Sequence, residues 1–168
     1  SLIDLFGGVT GLFIGNPELV PEKSFGWDAG VEQELFAGRL ALGATYFEND
    51  IDELIDGFAF DAATGLFTAR NVDEATTRGV ETFVEVQPLP DLSLALDYTF
   101  TRAFDSAINE DLLRRPKHKA SANLIWFPLD SLTVNFATLY TGSTVDVGGV
   151  RMASYTVVDV SAAYDLGD

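Results

Sequence analysis

The sequence predicts an all-β protein, an antiparallel meander of about seven long strands that forms a segment of a transmembrane β-barrel. Three observations predict this fold. Apolar residues recur at every second position in seven segments of the chain. The connections between these segments are alternately short and long, which is typical of outer-membrane barrels. The less apolar side of each segment is mostly Gly, Ala, Ser, Thr, Asn and Asp, which suits a crowded aqueous lumen.

Each predicted strand has one apolar face, and the fourth strand shows this most clearly. There Leu92, Leu94 and Leu96 alternate with Ser93 and Ala95, and the pattern continues to residue 101. Tilted strands of about nine to eleven residues are long enough to cross a bilayer. The predicted strands lie at residues 25–35, 40–46, 79–86, 92–101, 120–126, 132–141 and 158–165.

The connections predict which ends of the strands lie together. Short turns are expected at residues 35–40, 87–91 and 127–131, and long loops at roughly 52–75, 104–116 and 142–154. A soluble sandwich has no reason to place short turns at one end and long loops at the other, whereas a membrane barrel does so regularly.

Aromatic side chains gather at both ends of the predicted strands, where amphipathic rings favour the membrane–water interface. Their alternative role would be the core of a soluble sandwich. The residues beside the short turns are Phe36, Trp126, Phe127 and Tyr164. Those toward the long loops are Trp27, Phe100 and Tyr140, together with Phe25, Phe104 and Tyr155.

Composition excludes several functions. The net charge of −16 argues against a nucleic-acid partner, because phosphate contacts need clustered Lys and Arg. The absence of Cys excludes a disulfide framework and a thiol nucleophile. The acidic stretch from residue 50 to 56 lacks the spacing of a calcium loop. The sequence therefore predicts no cofactor and no metal site.

No catalytic constellation is visible, and we do not expect an enzyme. His118 is the single histidine, and we interpret it as a rim residue bonded to its neighbours rather than a proton switch. Four glutamates of the less apolar faces are interpreted as wetting the barrel interior rather than as catalytic pairs. They are Glu32, Glu34, Glu81 and Glu85.

Five motifs, in order, resemble TonB-dependent outer-membrane receptors. Residues 16–24 resemble N-P-x-L-x-P-E-x-S, residues 46–55 resemble Y-F-x-N-D-I-x-D-L-I, and residues 71–81 resemble N-V-x-x-A-x-x-x-G-V-E. Residues 112–118 resemble L-x-R-R-P-x-H, and residues 155–159 a late strand start. The motif residues that we single out are Asn16, Pro17, Pro21, Glu22, Asn49, Asp50, Arg78, Gly79, Glu81, Arg115 and Pro116.

The resemblance implies a 22-stranded transmembrane barrel in the Gram-negative outer membrane, an N-terminal plug and energy supplied by TonB. It implies a ferric siderophore or cobalamin as substrate, and the Arg-Arg-Pro-x-His form is similar to the cobalamin and catecholate-siderophore branch. Residues 1–168 are expected to be a partial barrel domain that lacks the plug and the last strands. No substrate-binding residue is nominated, since receptors of this kind share strands and differ in loops.

The implied partners include outer-membrane lipid and lipopolysaccharide. We hypothesise that some cations near the long loops pair with lipopolysaccharide phosphates, although ordinary solvated charges would look the same. These cations are Lys23, Arg78, Arg102, Lys117, Lys119 and Arg151.

Other functions stay open at this point. A passive outer-membrane porin or structural barrel would share the strands without the ordered motifs. A soluble β-sandwich binding module would fold in water without detergent. A barrel enzyme would need a nucleophile, and the sequence offers no candidate.

Overall fold

The computed structural model describes residues 12–166, without the side chains of residues 56–58, 72 and 73, and in that part of the chain seven long strands form one meander. The all-β prediction is confirmed, and no helix among the described residues is long and apolar enough to cross a membrane. The long strands are β2 (Lys23–Leu35), β3 (Leu40–Asp61), β4 (Leu66–Leu89), β5 (Leu92–Asp105), β7 (His118–Leu129), β8 (Leu132–Thr141) and β11 (Tyr155–Tyr164). The short elements are β1 (Phe13–Ile14), β6 (Glu110–Asp111), β9 (Thr144–Val145), β10 (Arg151–Met152) and a 3₁₀ turn at Val147–Gly149.

Strand pairing follows the chain, because each long strand pairs with the next long strand in sequence. The printed registers of β5, β7, β8 and β11 are antiparallel. The exception to this pattern is the two-residue strand β1, which pairs with β4 in parallel.

The expected long loop at residues 52–75 is wrong. β3 and β4 continue through this region and meet in a tight hairpin. The carboxylate of Asp61 accepts hydrogen bonds from the Ala63 amide at 2.9 Å and the Thr64 hydroxyl at 2.8 Å. Gly65 has a φ of +71° and donates to the Asp61 carbonyl at 2.8 Å. Turn chemistry that needs only four residues therefore replaces a loop.

The other two expected loops also contain strands. β5 reaches Asp105 and pairs with β6, and the Asp105 carboxylate accepts from the Ala107 amide at 2.9 Å. Residues 142–154 contain the hairpin formed by β9 and β10. Local hydrogen bonds order these segments, a feature that apolar periodicity does not reveal.

The chain divides into two compact units, to which β3, β4 and β5 both contribute. The wall unit, our name for residues 28–47, 78–102 and 113–168, contains most of the meander. The tip unit comprises the chain up to residue 27, residues 48–77 and residues 103–112. The buried residues Leu19, Ala69, Ala75 and Ala103 form a small core within the tip unit.

Register divides the wall unit into two faces. Leu94, Leu124, Phe136 and Val160 lie in one row across four strands. The next row toward the opposite strand end, on the other face, is Ala95, Asn123, Ala137 and Asp159. We call these the apolar face and the polar face. Val160 on the apolar face keeps 69% of its surface exposed, so this face is not buried by the chain itself.

Two glycines of the wall unit make room for phenylalanine rings. A Cβ on Gly43 would overlap the ring of Phe83, and a Cβ on Gly79 would lie 2.8 Å from the ring of Phe47. Large rings covering glycines on a neighbouring strand restore packing that glycine alone does not provide.

Candidate functional site

The first conserved-looking motif, residues 16–24, is held in the tip unit by polar side chains that bind backbone groups. The Asn71 side-chain oxygen accepts from the Val20 amide at 3.0 Å. The Asn71 amide nitrogen donates to the carbonyls of Val20 at 3.0 Å and Glu53 at 2.6 Å. One side chain thus pairs with Val20 as a neighbouring strand would.

Asn16 and Glu22 make further bonds of the same kind. The Asn16 side chain accepts from the Glu18 amide at 2.9 Å and donates to the Ala69 carbonyl at 3.1 Å. A Glu22 carboxylate oxygen accepts from the Ile55 amide at 2.7 Å. Pro17 and Pro21 flank these contacts and limit the backbone between them. These motif residues position a segment, and none is arranged for chemistry.

Asn49 and Asp50 lie in the tip unit on β3. The Asn49 side-chain oxygen lies 2.8 Å from the position of a Cβ on Gly26, so Gly26 leaves space for it. The Asp50 carboxylate accepts from the Thr76 hydroxyl at 2.9 Å, and that hydroxyl lies 2.8 Å from the Ser106 hydroxyl. This chain of bonds joins β3 and β4 to the end of β5.

Gly79 has a direct steric explanation in the wall unit. Its backbone approaches β5 so closely that a Cβ would overlap the Phe100 carbonyl oxygen. On its two sides along β4, Arg78 belongs to the apolar face and Glu81 to the polar face by strand alternation. Arg115 is exposed, and Pro116 is half-buried beside a depression described below.

The predicted interface aromatics of the wall unit lie near both strand ends. Trp126 and Tyr164 belong to the apolar face near the turns after β5 and β8, and Phe36 and Phe127 are exposed at turns. Phe100 and Tyr140 belong to the same face at the loop ends of their strands. Trp27 is part of the tip unit and is 48% exposed. Tyr155 is an exception, since its pairing with Thr141 places it on the polar face.

His118 lies among aromatic residues of the apolar face. Its Nδ1 is 2.8 Å from the Tyr98 hydroxyl, and its ring centroid is 5.3 Å from that of Phe100. The side chain is exposed and bonded to its neighbour, as the rim interpretation expects.

Lys119 lies on the polar face, because it pairs with Thr99 and Thr141. This position does not favour Lys119 as a ligand of lipid phosphate. By alternation, Lys117 has the same orientation.

The polar face shows no metal site. Among the described residues, no group of three or more His, Cys, Asp and Glu side chains is arranged to hold a metal ion. Asp97, on this face, accepts a 2.8 Å hydrogen bond from the Ser121 hydroxyl.

A depression of about 480 Å³ opens on the wall unit, which we call the loop-end depression. Its floor comes from β7, β8 and the start of β11, and its rim comes from residues 142–153. Lys119, Thr141 and Tyr155 form one register row across the floor. Leu139 and Met152 add apolar surface, and Arg114 adds a second cation.

Arg114 joins the rim to the preceding loop. Its Nε lies 2.7 Å from the Asp146 carboxylate, and its amide donates to the Val145 carbonyl at 2.9 Å. The hydrogen bond from Arg114, followed by that from the Val147 amide, lowers the pKa of Asp146 below its ordinary value. Asp61 at the β3–β4 hairpin also has a lowered pKa, because the Ala63 amide and the Thr64 hydroxyl donate to it.

Sequence reasoning did not find the loop-end depression. Strand alternation did contain part of the signal, since it places Lys119 and Tyr155 on polar-face positions of β7 and β11. What was missing was the register, which decides that these two residues share a row across Thr141.

Comparisons with known proteins agree with this architecture. A family described as TonB dependent receptor-like, beta-barrel, matches residues 1–168. The iron-regulated outer membrane virulence protein of Vibrio cholerae serotype O1 is 31% identical over 179 residues, covering 94% of this chain and 27% of that protein. The vitamin B12 transporter BtuB of Vibrio vulnificus is 27% identical over 156 residues, covering 90% of this chain and 24% of that protein.

Solved structures show the same fold. A mutant of the ferric enterobactin receptor PfeA of Pseudomonas aeruginosa has a TM-score of 0.71 at 18% identity, covering 92% of this chain and 25% of that chain. The ferripyoverdine receptor of Pseudomonas aeruginosa has a TM-score of 0.68 at 20% identity, covering 90% of this chain and 22% of that chain. The chain thus spans about a quarter of the length of its relatives. It belongs to the TonB-dependent receptor family and is a β-barrel segment of the Gram-negative outer membrane.

Proposed function

We propose that this chain forms part of the barrel wall of a receptor that actively takes up a ferric siderophore or a cobalamin-type substrate with energy from TonB. The observation that carries the proposal is the match to the receptor barrel family over the whole chain. An iron-regulated outer-membrane protein and a vitamin B12 transporter are similar in sequence, and receptors for ferric enterobactin and ferripyoverdine are similar in fold.

In this proposal the apolar face contacts lipid and the polar face contacts the barrel lumen. The rows of Leu, Val and Phe across β5, β7, β8 and β11 support it, since only a lipid environment makes such an exposed surface favourable. From Leu92 to Phe100 the band spans eight residue steps of β5, or about 20 Å across the bilayer at the usual tilt. The aromatic residues at its two ends would then lie at the two interfaces.

The position of two arginines supports lipopolysaccharide as a lipid partner. The Thr82 hydroxyl donates to the Tyr98 carbonyl at 3.4 Å, and Gly79 lies against Phe100, so Arg78 and Arg102 occupy neighbouring positions of β4 and β5. Both follow the apolar positions Val80 and Phe100 by alternation. Guanidinium groups bind phosphate well, and these two would lie where the outer-leaflet phosphates begin.

Substrate uptake with and without TonB tests the proposed function. Cells that depend on the full-length protein should accumulate radiolabelled ferric siderophore or cobalamin, and deletion of TonB should abolish that uptake. Uptake that stays equal without TonB would show a passive pore, the alternative function, which none of the comparisons supports.

A further inference from the structure

We propose that the loop-end depression binds the substrate directly and selects an anionic iron chelate that carries aromatic rings. This inference rests on the proposed uptake function and specifies its substrate class. It assigns Lys119 as the main contact for negative charge and Tyr155 with Met152 as the contacts for a ring.

Local charge supports an anionic ligand. The chain has 26 acidic and 10 basic residues, and yet the described side chains that line the depression include Arg114 and Lys119 and none that is acidic. Asp146 offsets much of the Arg114 charge through their 2.7 Å pair. The exposed ammonium of Lys119 therefore supplies most of the positive potential at the floor.

The register provides space for a ligand of moderate size. Lys119 and Tyr155 lie on either side of Thr141 in one row. Two strand spacings separate them, about 10 Å. Because Thr141 is short, a ligand can lie over it with one end at the ammonium and the other at the phenol ring.

The apolar lining favours a flat, ring-bearing group. Leu139, Met152 and Tyr155 keep 46%, 52% and 55% of their surface exposed, although the first and last lie on the polar face. Tyrosine stacks on aromatic rings, and a methionine sulfur makes favourable contacts with ring edges. A catecholate chelate combines such rings with negative charge.

The rim is ordered before any ligand arrives. Arg114 binds both the Val145 carbonyl and the Asp146 carboxylate. Asp146 in turn accepts from the Val147 amide at 2.7 Å and donates from its own amide to the Val150 carbonyl at 2.7 Å. A rim fixed in this way reduces the ordering cost that binding would otherwise carry.

Ligand binding to the purified full-length receptor tests this site. The probes are a ferric complex of 2,3-dihydroxybenzoylserine, which is anionic and aromatic, ferrioxamine B, which is cationic and lacks rings, and cyanocobalamin. We expect tight binding of the catecholate complex and a roughly 10-fold or greater loss of affinity for it in Lys119→Met and Tyr155→Ala, as removal of a charged or stacked contact gives. Lys119→Arg should keep most of the affinity, and Lys23→Met, outside the depression, should match the wild type.

The outcomes separate this inference from the proposed function. Unchanged catecholate affinity in both Lys119→Met and Tyr155→Ala, with normal barrel folding by circular dichroism, would overturn the site. Wild-type binding of cyanocobalamin or ferrioxamine B in preference to the catecholate complex would overturn the substrate class and leave the receptor function standing. A wild type that binds none of these probes or any other iron chelate would contradict the proposed function as well.

Discussion

At the residue scale, the motifs shared with the receptor family act mainly by satisfying or excluding backbone groups. Asn16, Glu22 and Asn71 bind amides and carbonyls of other segments, and Gly79 allows two strands to approach. Such roles tolerate little change, because a buried or crowded backbone group has few alternative partners. The motifs therefore identify the fold more directly than they identify a substrate.

Asn71 offers a direct test of this role. Asn71→Ala removes three hydrogen bonds to backbone, which stabilise the motif segment by about 2–3 kcal/mol at roughly 1 kcal/mol each. We expect exchange of the Val20 amide hydrogen in the full-length protein to accelerate about 30-fold or more. Asn135→Ala is the control, because the side-chain oxygen of Asn135 has no hydrogen-bond partner and its loss should have little effect. Unchanged protection at Val20 would contradict the assigned role.

Gly79 should be intolerant of any side chain. In Gly79→Ala the new methyl group meets a backbone carbonyl, which cannot move aside, so we expect a loss of about 3 kcal/mol or more in unfolding free energy. Gly26→Ala is the matched comparison, because its methyl meets the end of the Asn49 side chain, which can rotate away. Guanidinium unfolding of the two variants in lipid measures the difference, and equal stabilities would show that the close approach is unimportant.

At the element scale, the short turn between β2 and β3 contains unusual backbone conformations. Phe36 and Ala37 have φ values of 54° and 56°, and Gly38 has 83°. Two consecutive residues with positive φ match the twist of a tight hairpin, but a side chain raises the energy of each. The turn thus trades some local stability for a sharp reversal at an interface position.

Ala37→Gly should stabilise the barrel by about 0.5–1 kcal/mol, because glycine adopts positive φ without steric cost. The same substitution at Ala41, inside β3, should destabilise by a similar amount, because glycine gains no benefit in an extended strand. Denaturant midpoints of the full-length protein in lipid measure both shifts. A loss of stability in Ala37→Gly would mean that the turn is not strained.

The sequence alone was sufficient for the seven strands, their faces and their order, since period-two alternation determines each of these. It was insufficient where local hydrogen bonds replace periodicity. Asp61 with Gly65 turns a predicted loop into a hairpin, and Asp105 orders the end of β5 in the same way. The loop-end depression was also out of reach, because cross-strand register depends on the bulge between Trp126 and Leu129 as well as on turn length.

At the scale of the whole molecule, the exposed apolar face and the free edges of β2 and β11 describe a sheet that is stable only in a larger setting. All thirteen residues of β2 are exposed, and all ten of β11. A sheet with open edges and an apolar face aggregates in water, whereas a closed barrel in lipid satisfies both. The similarity to barrels four times as long supplies that setting.

The central claim is that the two faces of this sheet contact lipid and water respectively, and nitroxide scanning tests it most directly. Because the chain has no Cys, single cysteines at residues 134, 135, 136 and 137 of β8 can each carry a spin label in the full-length protein in bilayers. We predict that collisions with oxygen, which is enriched in lipid, dominate at Val134 and Phe136. Collisions with a water-soluble nickel chelate should dominate at Asn135 and Ala137. Equal accessibility at the four positions, or the opposite alternation, would contradict the account.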